Sequence, residues 1–173
     1  ASGTLAGWTP GVLLDDKGRQ QATALASRLS DVPLAAVVTS PLERCQETAD
    51  VILVGRESAR HLDERLGECR YGDWTGRELK SLAKEPLWKA VQAHPSSVTF
   101  PGGESMLAMQ ARAVDAVRSW NAELGPDATW MAVSHGDVIK AVVADALGLH
   151  LDQFQRIQVD PCSLTVIRYT ELR

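Results

Sequence analysis

A chain of 173 residues suits one domain large enough to bury a core. Hydrophobic residues make up 45% and charged residues 23%, which excludes extended disorder, and no apolar run approaches the ~20 residues of a membrane helix. The net charge of −4 gives no general pull toward nucleic acid or lipid surfaces, so a phosphate site would have to be a local basic cluster. Cys45, Cys69 and Cys162 are an odd set without ligand spacing, the pattern of reduced thiols in a cytoplasmic protein rather than of a disulfide frame or a zinc site.

Residues 1–15, with Gly3, Gly7, Pro10 and Gly11, read as a loop. Residues 16–29 carry Ala22, Leu25, Ala26 and Leu29 on one helical face, with Asp16 as the expected N-cap. The β-branched apolar run at 32–39 predicts a buried strand. Ser40-Pro41 then pairs a capping residue with the residue most at home in a first helical turn, and a helix is expected to about Val51. A short strand at 60–62 and a glycine-rich loop at 66–76 follow. Residues 79–93 suit a helix that Pro86 breaks or restarts. Residues 94–105 are loop, and 105–124 predict a long helix presenting Leu107, Ala111, Val114, Val117 and Leu124. A strand at 130–133, a turn at Ser134-His135-Gly136-Asp137, a helix to Leu147 and a last strand at 164–169 complete the chain. Strands alternating with helices give the α/β class with a mainly parallel sheet.

The turn at 134–137 lifts His135 to the carboxyl end of a strand, where ligands bind in open α/β sheets, and the next helix aims its free N–H groups at the same place. That suits an anion, most simply phosphate. Arg44 occupies the equivalent position after the strand at 32–39, and its guanidinium can fork two phosphate oxygens. Glu68 sits among Gly67, Gly72 and Gly76 with Trp74 nearby, an arrangement that can bury a carboxyl and raise its pKa as a general acid requires. Glu104 and Ser105 close the turn Pro101-Gly102-Gly103 ahead of the long helix. Each residue alone also fits an ordinary role: His135 closing a strand, Arg44 pairing with Glu43 or Glu47, Glu68 with Arg65 or Arg70, and Ser105 capping a helix.

In order, Ser40-Pro41-Leu42 with Arg44 and Thr48, the Leu66-Gly67-Glu68 loop ending Gly72-Asp73-Trp74-Thr75-Gly76, Pro101-Gly102-Gly103-Glu104-Ser105 and Val133-Ser134-His135-Gly136 resemble the histidine phosphatase superfamily, also called phosphoglycerate-mutase-like. Gly18 with Gln21-Ala22 resembles that family's first helix. The likeness implies a three-layer α/β fold, a mainly parallel central sheet with helices on both faces. It also implies phosphoryl transfer through a phosphohistidine, without metal or other cofactor. On the matching positions His135 and Glu68 are catalytic, Glu68 as acid and base, while Arg44, His135 and Gly136 bind phosphate. Asp137 is the rival acid, and Glu104 and Ser105 are further candidates.

The family's nucleophile stands in an Arg-His-Gly at the end of its first strand, and the given residues do not hold that motif. The expectation is therefore a single domain over residues 1–173 that is N-terminally incomplete, with the missing strand about 10–20 residues upstream of Thr4. That strand is expected to be the shared neighbour of Val37-Val38 and Met131-Val133. The implied function is a phosphomonoesterase acting on a small phosphorylated metabolite. The alternatives are a phosphoglycerate-type mutase and an inactive phosphate-binding relative. The compact stretch between Gly76 and Pro101 favours the phosphatase, because the mutases of this fold carry longer insertions there. Neither nucleic acid nor membrane is an expected partner, and a homodimer is compatible with such a domain.

Overall fold

Ala36, Val37, Val38 and Thr39 form a strand, β1 (Ala36–Thr39), buried on both faces, and the other layers are built on it. In the computed structural model, which describes residues 3–170, β1 lies between β2 (Ala59–Leu62) and β3 (Met131–Val133), and both pairings are parallel. Two helices, α1 (Asp16–Arg28) and α2 (Glu43–Leu53), cover one face: Leu25, Leu29, Cys45, Ala49 and Ile52 pack on Val37, Met131 and Val133. Two short helices follow, α3 (Leu79–Leu82) and α4 (Pro86–Ala93), then the long α5 (Met106–Leu124) and α6 (Gly136–Ala146). Val38 meets Ala116 and Trp120 of α5 on the opposite face, and α6 packs Val138, Ala141 and Val142 against Met109, Ala113 and Val117. Neighbouring residues of one strand thus enter different apolar layers, as the pleat requires. Burial of each large aliphatic side chain here contributes ~1.5–3 kcal/mol. The result is the expected three-layer α/β fold.

Local differences have identifiable causes. Asp15, not Asp16, caps α1, its Oδ1 accepting the Gly18 N–H at 2.7 Å. The strand expected from residue 32 begins at Ala36, because Val32 closes a turn by donating to the Leu29 carbonyl and Pro33 has no N–H. Pro86 does restart a helix, as the first residue of α4. On α5 the buried stripe is Met106, Met109, Ala113, Val114, Ala116, Val117 and Trp120, while Leu107 and Ala111 are exposed. The face is shifted toward Met106, Met109, Ala113 and Trp120, which pack into the apolar layers.

Two expectations about the sheet are overturned. Residues 164–169 form no strand: Leu164 and Val166 are exposed, and among the described residues nothing pairs with this stretch. β-propensity alone does not make a strand, since the ladder needs a neighbour. Nor do Val37-Val38 and Met131-Val133 require a shared third strand. They pair with each other directly, in the register Val37 to Met131, Val38 to Ala132 and Thr39 to Val133. The side of β3 away from β1 carries no strand among the described residues. No described helix is long and apolar enough to cross a membrane.

Candidate active site

Parallel pairing brings the carboxyl ends of β1 and β3 to one rim, and the Ser40 N–H continues the ladder to the Val133 carbonyl at 2.9 Å. Each strand then turns into a helix, α2 or α6. Ser40 does not cap α2 from the usual position: the helix starts at Glu43, and Ser40 Oγ accepts the Leu42 N–H at 3.3 Å. The same oxygen lies 2.8 Å from Nε2 of His135.

His135 is the residue before α6, and its buried imidazole turns toward the start of α2. Nδ1 lies 3.2 Å from Nη2 of Arg44, and Cys45 Sγ lies 3.5 Å from Nε2. Arginine can only donate, so Nδ1 is the acceptor and the ring proton sits on Nε2, directed at Ser40. Burial, with the fields of Arg44 and Arg112, lowers the His135 pKa to about 3, so the ring is neutral. Burial likewise raises the Cys45 thiol to about 12 and keeps it protonated.

Arg44 also donates from Nη2 to the Gly7 carbonyl at 3.0 Å. Its Nη1 is buried with no hydrogen-bond partner. Leaving such a donor unpaired costs ~1–3 kcal/mol, and more for a charged group. It stands beside His135 where α6 begins at Gly136, and a Cβ built on Gly136 meets open space. An unspent cationic donor next to a helix N-terminus is the half of a site that an anion completes.

Glu68 closes the other side. Its Oε2 is 4.0 Å from Nδ1 of His135, and Oε1 accepts the Cys69 N–H at 2.9 Å. Burial first, and then the neighbouring Asp137, raise its pKa to about 7, against the Cys69 N–H, Arg44 and Arg112. A carboxyl in that range carries a proton for a substantial part of the time at neutral pH, as a general acid must. Asp137 is engaged: its Oδ2 accepts from the Tyr71 hydroxyl at 3.0 Å, and Lys140 Nζ is 3.7 Å from Oδ1. Arg44, Glu68, His135, Gly136 and Asp137 therefore gather at one rim.

Glu104 and Ser105 stand elsewhere in the network. Glu104 binds Arg112 through both carboxylate oxygens and accepts the Arg70 N–H at 2.8 Å. Burial would raise its pKa, but the Arg112 bonds and the Arg70 N–H hold it below the usual range. Ser105 caps α5 by accepting the Ala108 N–H at 3.0 Å. Trp74 does not wall off Glu68: it packs in the core beside Trp88 and Phe100. The aromatic hydrogen-bonded to the acid is Trp8, whose Nε1 donates to the Glu68 carbonyl at 2.5 Å. Gly67 makes room for it, since a Cβ there would fall 2.3 Å from the indole. His61 lies against Trp120, and His94 and His150 flank Asp152, away from Arg44 and Glu68.

Arg112, Gly7 and Trp8 were not legible as site residues. An arginine on a helix reads as solvated, and a glycine and a tryptophan in a loop give no periodic signal. The repeated strand-to-helix turns were the signal that found Arg44 and His135. Among the described residues, no group of three or more histidine, cysteine or acidic side chains has metal-site geometry.

Comparisons with known proteins identify the family. The sequence profile of the histidine phosphatase superfamily (branch 1) matches residues 2–173. A protein of Erwinia tasmaniensis named "probable phosphoglycerate mutase GpmB" is 32% identical over 163 residues, covering 91% of this chain and 74% of that one. Phosphoserine phosphatase 1 of Hydrogenobacter thermophilus is 30% identical over 168 residues, covering 92% of this chain and 76% of the relative. Among solved structures, Bacillus stearothermophilus YhfR superposes with a TM-score of 0.84 at 32% identity, covering 90% of this chain and 77% of its own. The profile spans every residue that builds the rim, and the chain belongs to the histidine phosphatase superfamily, branch 1.

Proposed function

We propose that this domain hydrolyses the phosphate monoester of a small metabolite through a phosphohistidine intermediate. The observation that carries the reading is the buried, unpartnered Nη1 of Arg44 beside neutral His135 and the raised-pKa carboxyl of Glu68. Arg44 and the N–H of Gly136 hold the phosphoryl oxygens beside the imidazole of His135, where positioned donors stabilise charge that spreads in the transition state. A histidine nitrogen attacks phosphorus, the P–O ester bond breaks, and Glu68 gives its proton to the departing alkoxide. Glu68 then takes a proton from the water that attacks the phosphohistidine, which releases phosphate and restores the acid. In the family that histidine stands in an Arg-His-Gly, a motif that residues 1–173 do not hold.

Glu68 is the better acid than Asp137, whose oxygens are engaged by Tyr71 and Lys140. Phosphatase is preferred to mutase because the stretch between Gly76 and Pro101 is a compact pair of short helices with Leu82 and Val91 buried. The relatives carry both kinds of name, and a phosphorylated small molecule is their common substrate class. Free buried Cys45 and Cys69 support a reducing, cytoplasmic setting, and the net charge supports a small ligand over nucleic acid or membrane.

The test is hydrolysis of phosphoserine, 3-phosphoglycerate and p-nitrophenyl phosphate by the full-length protein, with trapping of labelled phosphohistidine. Release of phosphate with a labelled enzyme intermediate is expected. Lack of turnover, together with no binding of inorganic phosphate or vanadate, would overturn the reading.

A further inference from the structure

The segment that carries the acid has almost no regular structure of its own. A three-residue 3-10 turn, Glu64–Leu66, leads into Gly67 and Glu68, and within it the Gly67 N–H takes up the Glu64 carbonyl. Four successive carbonyls are taken up by side chains from other elements. Arg112 of α5 donates from Nη1 to Arg65 O at 2.6 Å and Gly67 O at 2.8 Å, and from Nη2 to Glu68 O at 2.9 Å. Ser134, the residue before His135, donates to Leu66 O at 2.7 Å.

The rest of the guanidinium is spent on Glu104. Nε reaches Oε2 at 3.0 Å and Nη2 reaches Oε1 at 2.6 Å. All the N–H donors of the arginine fork are therefore used, three on the acid's own turn and two on one carboxylate. Both side chains are largely buried, at 19% and 14% exposed, so the pair is neither mobile nor strongly screened. Glu104 is fixed in turn by the Arg70 N–H. No lysine could reproduce this, because its single ammonium has neither the planar fork nor the donor count.

We propose that the Glu104–Arg112 pair is the positioning device for the catalytic acid: it sets the 65–68 turn, and with it the distance of the Glu68 carboxylate from His135. Among the described residues the hydrogen bonds of Arg112 go to the peptide groups of that turn and to Glu104, so it is a positioning residue and not a catalytic one. The inference rests on Glu68 being the acid of the proposed reaction. Geometry of this kind matters because a shift of about 1 Å in a reacting group can cost ~10²-fold in rate.

The experiment is a double-variant cycle in the full-length protein, read on phosphoserine, a poor alcohol leaving group, and on p-nitrophenyl phosphate, which leaves as a stabilised anion. Glu68→Gln should lose ~10²–10⁴-fold in kcat on phosphoserine and much less on the aryl ester. Arg112→Gln should show the same leaving-group preference, with a ~10–100-fold loss in kcat and little change in KM. Arg112→Lys should fall between it and the wild type. Placed in the Glu68→Gln background, Arg112→Gln should add less than ~2-fold, since two residues acting through one group are not additive. Losses that multiply, or an Arg112→Gln loss equal on both esters, would overturn the proposal while leaving Glu68 as the acid. A Glu68→Gln variant without leaving-group preference would overturn both the acid assignment and the device that serves it. If Arg112→Gln does not fold, Glu104→Gln carries the same cycle: it loosens the fork and leaves the three carbonyl bonds in place. A smaller loss with the same preference and non-additivity is then expected, and an additive or absent loss overturns the proposal.

Discussion

Nη2 of Arg44 lies 3.2 Å from Nδ1 of His135, although 91 residues separate the two in sequence. Burial first, and then the cation at that distance, keep the imidazole neutral, and the cation fixes its tautomer, with the remaining proton on Nε2 facing Ser40 Oγ at 2.8 Å. An anion bound at the free Nη1 would cancel part of that field. Phosphate or vanadate is therefore expected to raise the His135 pKa from about 3 by ~1–3 units, the usual effect of a nearby opposite charge. Histidine ring titration by NMR with and without phosphate measures this, and an unchanged titration would show that no anion binds beside the imidazole.

Arg44 is expected to be a residue that costs stability in the free protein. Its Nη1 is desolvated without a partner, while Nη2 is satisfied by Gly7 O and His135. Arg44→Met should abolish phosphate binding while leaving the free energy of unfolding within ~1 kcal/mol of the wild type or above it, because the removed penalty offsets the lost bonds. Calorimetric titration with phosphate and denaturant unfolding separate the two effects. A loss above ~2 kcal/mol would make Arg44 a structural residue first.

The fold and the phosphate side of the rim were legible because local rules carry them. An apolar run followed by a turn and a helix placed Arg44 and His135 at strand ends, and Pro86 marked its own helix start. What escaped reading depends on distant partners. Residues 164–169 have strand composition, yet a strand needs a neighbour to pair with. Trp74 looked like the hydrophobic wall of Glu68, but the chain folds Trp8 onto the acid and sends Trp74 to the core. The guanidinium of Arg112 reaches carbonyls at positions 65, 67 and 68, a relation with no periodicity for sequence to show.

The glycines of the two loops are explained by close approach of backbones. A Cβ on Gly103 would stand 2.1 Å from Arg70 O and 2.8 Å from Gly72 N, both main-chain atoms that cannot swing aside. The same approach lets Glu104 N–H reach Arg70 O at 2.9 Å. Gly103→Ala is expected to destabilise by more than ~2 kcal/mol, beyond the usual surface substitution, and to lower phosphatase activity by moving Glu104. Urea unfolding with an unchanged m-value checks the first part, and a loss under ~0.5 kcal/mol would mean that the loops separate freely.

Glu68 makes stability depend on pH with a definite sign. Burial and Asp137 lift its folded pKa to about 7 from a usual value of 4.5, and its side chain is 15% exposed. Between those two values the folded state holds a proton that the unfolded chain has released, so this group's contribution is full below pH 4.5 and is lost as pH rises through about 7. His135 works in the opposite sense, its folded pKa of about 3 lying below the usual 6.5, so its neutral burial disfavours folding progressively as the solution turns acid below pH 6.5. That term is common to the wild type and to Glu68→Gln, and it cancels in their difference. The substituted amide keeps an acceptor for the Cys69 N–H but has no charge to bury. The variant should therefore match the wild type near pH 4 and exceed it at pH 8 by as much as ~3 kcal/mol, the free-energy equivalent of the shift. Denaturant unfolding of both proteins at pH 4, 6 and 8 reads this directly. A gap that is constant across the three, or that closes as pH rises, would show that Glu68 is ionised in the folded protein throughout and has no proton to give at neutral pH.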